Sequence, residues 1–191
     1  MIYQHAVFLS YVIINKIKGV ISLVIFRPNI YLNSFKEIDL QELVKRNIKA
    51  IFMDLDNTLV SPFQKTADDD VKTFIQNCHQ LGLIVIVVSN NTEERVSLFC
   101  KELGIDYYAM ALKPLNKGFK KALQELNLTT KEVCMIGDQV MTDVLGGNLM
   151  GFMTILLVPI VEKDLIITKF NRTIEKVILK ILRLKKGVIY E

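Results

Sequence analysis

Between residues 48 and 158 the chain alternates short, continuous apolar runs with longer stretches whose apolar residues recur at helical spacing. Ile48-Lys-Ala-Ile-Phe-Met-Asp54 is brief and partly β-branched, which predicts a buried strand. Asp68 to Gln80 predicts a helix, with acids clustered in its first turn and Gly82 just past its end. Leu83 to Val88 predicts a strand apolar on both faces, the pattern of a parallel sheet covered by helices on each side. Glu93 to Leu103 predicts a helix closed by Gly104. Tyr107 to Ala111 predicts a short strand and Asn116 to Leu126 a helix. Val133 to Ile136 and Met153 to Val158 predict two more strands. This alternation implies an α/β fold, a doubly wound parallel sheet with right-handed crossovers. Ligands of such sheets sit beyond the carboxyl ends of the strands, so the polar residues after each strand are where chemistry is expected.

The two ends follow other patterns. Ala6 to Phe26 is apolar but interrupted by Asn15, Lys16 and Lys18. Two central lysines cost about 5–7 kcal/mol on the membrane-insertion scale, and the aliphatic and aromatic residues return about 4–8 kcal/mol. A spanning helix is therefore balanced, and an interfacial helix over residues 1–26 is the preferred expectation. A signal peptide fits poorly, because its basic region should precede the apolar run. An over-long start ahead of a domain complete from residue 27 fits the same pattern. At the other end, Phe170, Ile174, Val177, Ile178 and Ile181 fall on one helical stripe, flanked by Lys169, Arg172, Lys176, Lys180 and Arg183. The expectation is a basic amphipathic helix over residues 169–191, with its stripe facing either a membrane surface or the core of a domain spanning 27–168.

Charge sharpens this division. Residues 1–36 carry four basic side chains and no acid, and residues 169–191 carry seven against two. The total of 24 basic and 20 acidic residues then leaves an acidic middle. Basic ends on an acidic body suggest an anionic partner, and an anionic membrane surface is favoured over nucleic acid. The 191 residues suffice for one globular domain, and 51% hydrophobic composition excludes a disordered chain. Cys78, Cys100 and Cys134 share no short spacing, which excludes a CxxC metal site and fits a reducing, cytoplasmic setting. His5 and His79 are the sole histidines, so a Ser-His-Asp triad or a multi-histidine metal site is a poor fit.

The polar residues after the strands form a coherent set. Asp54-Leu-Asp56-Asn-Thr58 follows the first strand, Ser89-Asn90-Asn91 the second, Lys113-Pro114 the third, and Gly137-Asp138 the fourth, with Asp143 five residues on. Three gathered carboxylates cannot all remain ionised without a counter-charge. Oxygen-only donors at an open site suit Mg²⁺. Ser89, nearby backbone amides and Lys113 (or the rival Lys117) then surround a place for an anion. That inventory describes phosphoryl transfer.

Taken in order, Asp54-x-Asp56-x-Thr58, Ser89, Lys113-Pro114 and Gly137-Asp138-x4-Asp143 resemble the four motifs of the haloacid dehalogenase (HAD) phosphatase superfamily, in the Lys-Pro form of its IIIA subfamily. From Arg27 to about Arg172 the chain is similar to the bacterial relatives of mitochondrial phosphatidylglycerophosphatase, through Gly137-Asp-Gln-x-x-Thr-Asp-Val-x-Gly-Gly-Asn148 and Thr168-x-Phe-Asn-Arg172. The resemblance implies a HAD-like Rossmannoid fold. It implies Asp54 as nucleophile, forming an aspartyl-phosphate, and Asp56 as general acid and base. Mg²⁺ would be held by the Asp54 and Asp138 side chains and the Asp56 backbone carbonyl. Ser89, the Asn90 amide and Lys113 would hold the phosphoryl oxygens. Asp143 would orient Lys113 or a metal-bound water, and Thr58 would shape the loop.

Loop lengths add one inference. One helix and one strand use up nearly all the residues from Asp56 to Ser89, and a helix and short strand use those from Ser89 to Lys113. No cap domain fits, and a capless site suits a phosphate displayed on something large, such as a phospholipid headgroup at the inner face of a membrane. The expected activity is conversion of phosphatidylglycerophosphate to phosphatidylglycerol by an enzyme peripheral to that membrane. The alternatives are a phosphatase for a soluble sugar, nucleotide or protein phosphate, and a non-catalytic binding protein on the same fold.

Overall fold

In a computed structural model, residues 23–161 and 175–190 are described. Seven strands form one sheet: β1 (Ile30–Leu32), β2 (Ala50–Met53), β3 (Ile84–Val88), β4 (Asp106–Tyr108), β5 (Val133–Gly137), β6 (Met153–Leu157) and β7 (Val188–Ile189). Their spatial order is β4-β3-β2-β5-β6-β1-β7. Every pairing is parallel except β1 with β7, which is antiparallel. The helices are α1 (Leu40–Lys45), α2 (Asp69–Gln80), α3 (Glu93–Leu103), α4 (Lys117–Leu126), α5 (Leu145–Met150) and α6 (residues 175–181). Parallel neighbours need crossovers: α2 joins β2 to β3, α3 joins β3 to β4, and the turn Val140–Val144 with α5 joins β5 to β6.

Strand β2 lies inside the sheet, between β3 and β5, and is buried on both faces. Ile51 and Met53 pack with Val71, Phe74, Val96 and Phe99 of α2 and α3. Ala50 and Phe52 point the other way, towards Phe119 of α4 and Phe152. Phe52 meets Phe152 edge-on at 5.7 Å, and Phe119 meets Phe152 edge-on at 5.5 Å. Each such pair adds about 0.5–1.5 kcal/mol beyond its burial, so the strand that carries Asp54 is held firmly. The flanking helices are set by their ends. The Asp68 side chain accepts from the Val71 amide to start α2, and the Thr92 hydroxyl accepts from the Arg95 amide to start α3. Gly104 ends α3 in the left-handed conformation, at φ 63°.

Three expectations about the ends are corrected. Leu23–Phe26 is not part of an extension: it forms a 3-10 turn, and Phe26 is fully buried with Val140, Met141 and Leu145. The tail is not helical to residue 191. Helix α6 stops at residue 181, and the chain turns back so that β7 pairs with β1. The expected single apolar stripe is split, since Ile178 is buried with Leu179 and Leu182 beside it, whereas Val177 and Ile181 are exposed. The remaining residues of the expected terminal helices, 1–22, 169–174 and 191, lie outside the described residues. Among the described residues no helix is long and apolar enough to cross a membrane.

Among the described residues, three loops at the carboxyl edge leave it open. Residues 54–68, 89–92 and 109–116 contain no regular element that could cover the edge.

Candidate active site

Register brings the acidic residues together. Met53 of β2 pairs with Ile136 of β5, so Asp54 and Gly137-Asp138 leave adjacent strands at the same level. The Asp54 amide donates to the Ile136 carbonyl at 2.9 Å, extending the ladder one residue further. A π-helical turn, Val140–Val144, then returns Asp143 to the strand ends. One carboxylate oxygen from each of Asp54, Asp138 and Asp143 lies within 4.8 Å of the others, and all three residues are buried. The Asp143 carboxylate packs against Gly137, where a Cβ would stand 2.2 Å from its Cγ and Oδ2. The Gln139 amide donates to Asp143 Oδ2 at 3.0 Å.

Lys113 completes this cluster. Its ammonium donates to Asp54 Oδ1 and to Asp143 Oδ1, each at 2.7 Å. Burial disfavours its charge, but Asp143 and Asp54 outweigh that cost and hold its pKa above the ordinary lysine value. Burial pushes the Asp54 carboxyl up to about 7; Lys113 opposes the shift, while Asp143 and Asp138 add to it. The rival Lys117 is exposed at the start of α4. Lys113 is delivered by a loop clipped to the neighbouring one. The Asn90 side chain accepts from the Lys113 amide at 2.6 Å and donates to its carbonyl at 3.0 Å.

The other expected residues are near but separately held. Ser89 directly follows β3 and is buried, its hydroxyl accepting from the Asn91 amide at 3.2 Å. Thr58 is buried and donates to Asp138 Oδ1 at 3.4 Å. The Asp56 carboxylate stands outside the three-acid cluster. Arg95 Nη2 donates to its Oδ1 at 2.9 Å, and Asn91 Nδ2 donates to its Oδ2 at 2.7 Å. A cavity of about 400 Å³ opens beside Asp138, walled largely by Tyr31, Val140, Leu156, Val158 and Leu179.

Sequence reasoning missed Arg95 and the side-chain contacts of Asn90 and Asn91; Gly137 stands in the expected Gly137-Asp138 motif, but its packing against Asp143 is a finding of the structure. Arg95 had a signal. It is the third residue of α3, where a cation meets the positive end of the helix dipole and Glu93 and Glu94 are the favourable choice. The asparagines carried none, because their partners lie 23 and 35 residues away.

Oxygen donors packed this closely fit a hard divalent cation, and the lysine in contact with two of them is the group that would meet an anion. A carboxylate beside an ammonium at one end of a buried strand can act as a nucleophile toward phosphorus. The three thiols cannot compete: burial pushes Cys78 and Cys100 up to about 12, and Cys134 higher still.

Comparison with known proteins bears on the family of the chain. The family model described as a haloacid dehalogenase-like hydrolase matches residues 63–151. "Probable phosphatase YqeG" of Bacillus subtilis (strain 168) is 40% identical over 166 residues, covering 87% of this chain and 96% of that protein. "Phosphatidylglycerophosphate phosphatase 1, chloroplastic/mitochondrial" of Arabidopsis thaliana is 25% identical over 156 residues, covering 76% of this chain and 45% of that protein. Among solved structures, a putative 3-deoxy-D-manno-octulosonate 8-phosphate phosphatase from Vibrio cholerae superposes with a TM-score of 0.50 at 15% identity. The superposition covers 75% of this chain and 89% of that one, and it bears on the fold alone.

Proposed function

The chain belongs to the haloacid dehalogenase-like hydrolases and is a phosphatase, and from that premise we propose that it removes the terminal phosphate of phosphatidylglycerophosphate with Mg²⁺ as cofactor. The observation that carries the chemistry is the Lys113 ammonium, 2.7 Å from both Asp54 and Asp143, against a cluster of three buried carboxylates.

Asp54 attacks phosphorus, so that an Asp–O–P bond forms as the bond to the leaving alcohol breaks. Asp56 gives its proton to the leaving oxygen, then takes one from the water that hydrolyses the aspartyl-phosphate. Lys113, with Ser89 and the Asn90 amide, holds the transferring oxygens, and Asp143 keeps Lys113 in place. The Asp54 and Asp138 side chains and the Asp56 carbonyl would hold Mg²⁺, which would supply the positive charge needed for a phosphate dianion to approach a carboxylate.

Several features support a lipid substrate at an anionic membrane surface. The Arabidopsis relative carries that activity in its name. The carboxyl edge is uncapped among the described residues. Phe63, Met110 and Leu112 stand exposed on loops that follow β2 and β4 at that edge. Met110 and Leu112 both have positive φ, 48° and 57°, so the loop spends backbone strain to turn apolar side chains outward. The cavity beside Asp138 adds apolar wall from Val140, Leu156, Val158 and Leu179, with Glu175 and Lys176 also lining it, next to the expected metal.

Phosphate release should be measured from phosphatidylglycerophosphate in anionic vesicles and from a panel of soluble monoesters, with and without Mg²⁺. The lipid should be the preferred substrate, and only with the metal. Faster turnover of a soluble sugar or nucleotide phosphate, unaffected by vesicles, would replace the lipid reading.

A further inference from the structure

The contact between Arg95 and Asp56 lies outside the machinery described so far. We propose that Arg95 is an anion subsite on the leaving-group side of the active site, and that it takes a phosphodiester carried by the alcohol that departs. The inference rests on the reading that Asp56 serves the leaving oxygen.

Arg95 is not needed merely to satisfy Asp56. Asn91 already donates to one carboxylate oxygen, at 2.7 Å. Arg95 spends a single contact on the other, from Nη2 at 2.9 Å. Its Nε and Nη1 are buried and have no hydrogen-bond partner among the described residues. The guanidinium carbon sits 5.9 Å from the centre of the Phe99 ring, an apolar support that leaves these donors unsatisfied. Buried donors without partners are costly, and so is a cation in the first turn of a helix. Two such costs at one residue beside a catalytic loop mark a side chain kept for a ligand rather than for stability.

Geometry says which ligand. A general acid must come within about 2.6–3.2 Å of the oxygen it protonates. Arg95 touches that same carboxylate, so a guanidinium nitrogen and the leaving oxygen are separated by about 5–6 Å across Asp56. Whatever Arg95 reads therefore belongs to the first few atoms of the leaving alcohol. Glycerol esterified at its two terminal hydroxyls places a second phosphate at about that reach. A planar guanidinium matches two phosphate oxygens at once, which the ammonium of a lysine does not. On engaging the diester, Arg95 turns its idle donors to the phosphate and loosens its hold on Asp56.

The test compares two soluble substrates in the presence of Mg²⁺: glycerol 3-phosphate, which lacks the second anion, and the deacylated headgroup glycerophosphoglycerol phosphate, which has it. Wild type should favour the second. Arg95→Gln should lower kcat/KM on it, chiefly through KM, about 10–100-fold more than on glycerol 3-phosphate, whose loss reads the contact with Asp56 alone. Arg95→Lys, which retains a charge but not the fork, should fall between. Equal losses on both substrates would make Arg95 a clamp for Asp56 and overturn the subsite, as would a wild-type preference that survives Arg95→Gln. A wild-type enzyme that hydrolyses monoesters but ignores the diester would overturn the subsite together with the lipid reading.

Discussion

The Lys113 ammonium and the Asp143 carboxylate form an ion pair 2.7 Å long in which each side chain is 2% exposed. A pair so deeply buried is poor evidence of stability, because desolvation offsets much of the attraction. Its consequence is positional. Asp143 points Lys113 at Asp54, and Asp54 is where phosphorus is expected.

Breaking this pair from one side should be worse than removing both charges. Lys113→Met leaves Asp54 and Asp143 facing each other without a cation, and should cost about 3–5 kcal/mol in urea unfolding. Adding Asp143→Asn should return at least about 1 kcal/mol of that loss, the non-additivity expected of side chains in contact. Turnover should remain absent in both variants. Strictly additive losses would mean that the two side chains do not interact as described.

Asp54→Asn should abolish turnover while leaving the circular dichroism spectrum unchanged. The amide keeps the shape of the side chain but can neither attack phosphorus nor balance Lys113. A wild-type rate in this variant would move the nucleophile elsewhere.

Gly137→Ala tests the fit between β5 and Asp143. The added methyl would stand 2.2 Å from Asp143 Cγ and Oδ2, so the carboxylate must give way, carrying Lys113 with it. The expected cost is about 1–3 kcal/mol in stability. The expected fall in kcat is about 100-fold, the usual result of moving a catalytic group by an ångström. Unchanged kcat would show that the position of Asp143 is not tied to that of Lys113 in turnover.

What the sequence reveals depends on the range over which each element is specified. Helix α3 appears at its expected bounds, and α2 and α4 within a residue of theirs, because caps and periodicity are local. Strands β2, β3, β5 and β6 are continuous apolar runs and are equally legible. Strands β1 and β7 are two or three residues long and exist by pairing with each other and with β6, which no local pattern announces. Strand β4 ends at Tyr108, short of the expected Ala111, because the chain peels away as the Met110 and Ala111 amides donate to the carbonyls of Asn91 and Ser89. The site divides the same way. Residues that chemistry requires stand out by type, whereas Asn90, Asn91 and Arg95 acquire their roles through contacts the fold alone creates.

Protons and metal should compete at Asp54. Its carboxyl is raised from the ordinary aspartate range to about 7, so below that pH the metal-free protein holds a proton where the cation needs a bare oxygen. Apparent Mg²⁺ affinity, measured by calorimetry, should fall about tenfold per pH unit below 7 and level off above about 8. The same shift acts on folding with a definite sign. A carboxyl whose folded pKa lies above its unfolded one binds the proton more tightly when folded, so its favourable contribution is complete below about pH 4 and disappears as pH rises through 7. Metal-free wild type should therefore lose stability relative to Asp54→Asn between pH 4 and 7, a difference that cancels the other titrating groups. Parallel melting curves for the two proteins across that range, or Mg²⁺ affinity flat from pH 6 to 8, would show that Asp54 is already ionised and that Lys113 outweighs its burial.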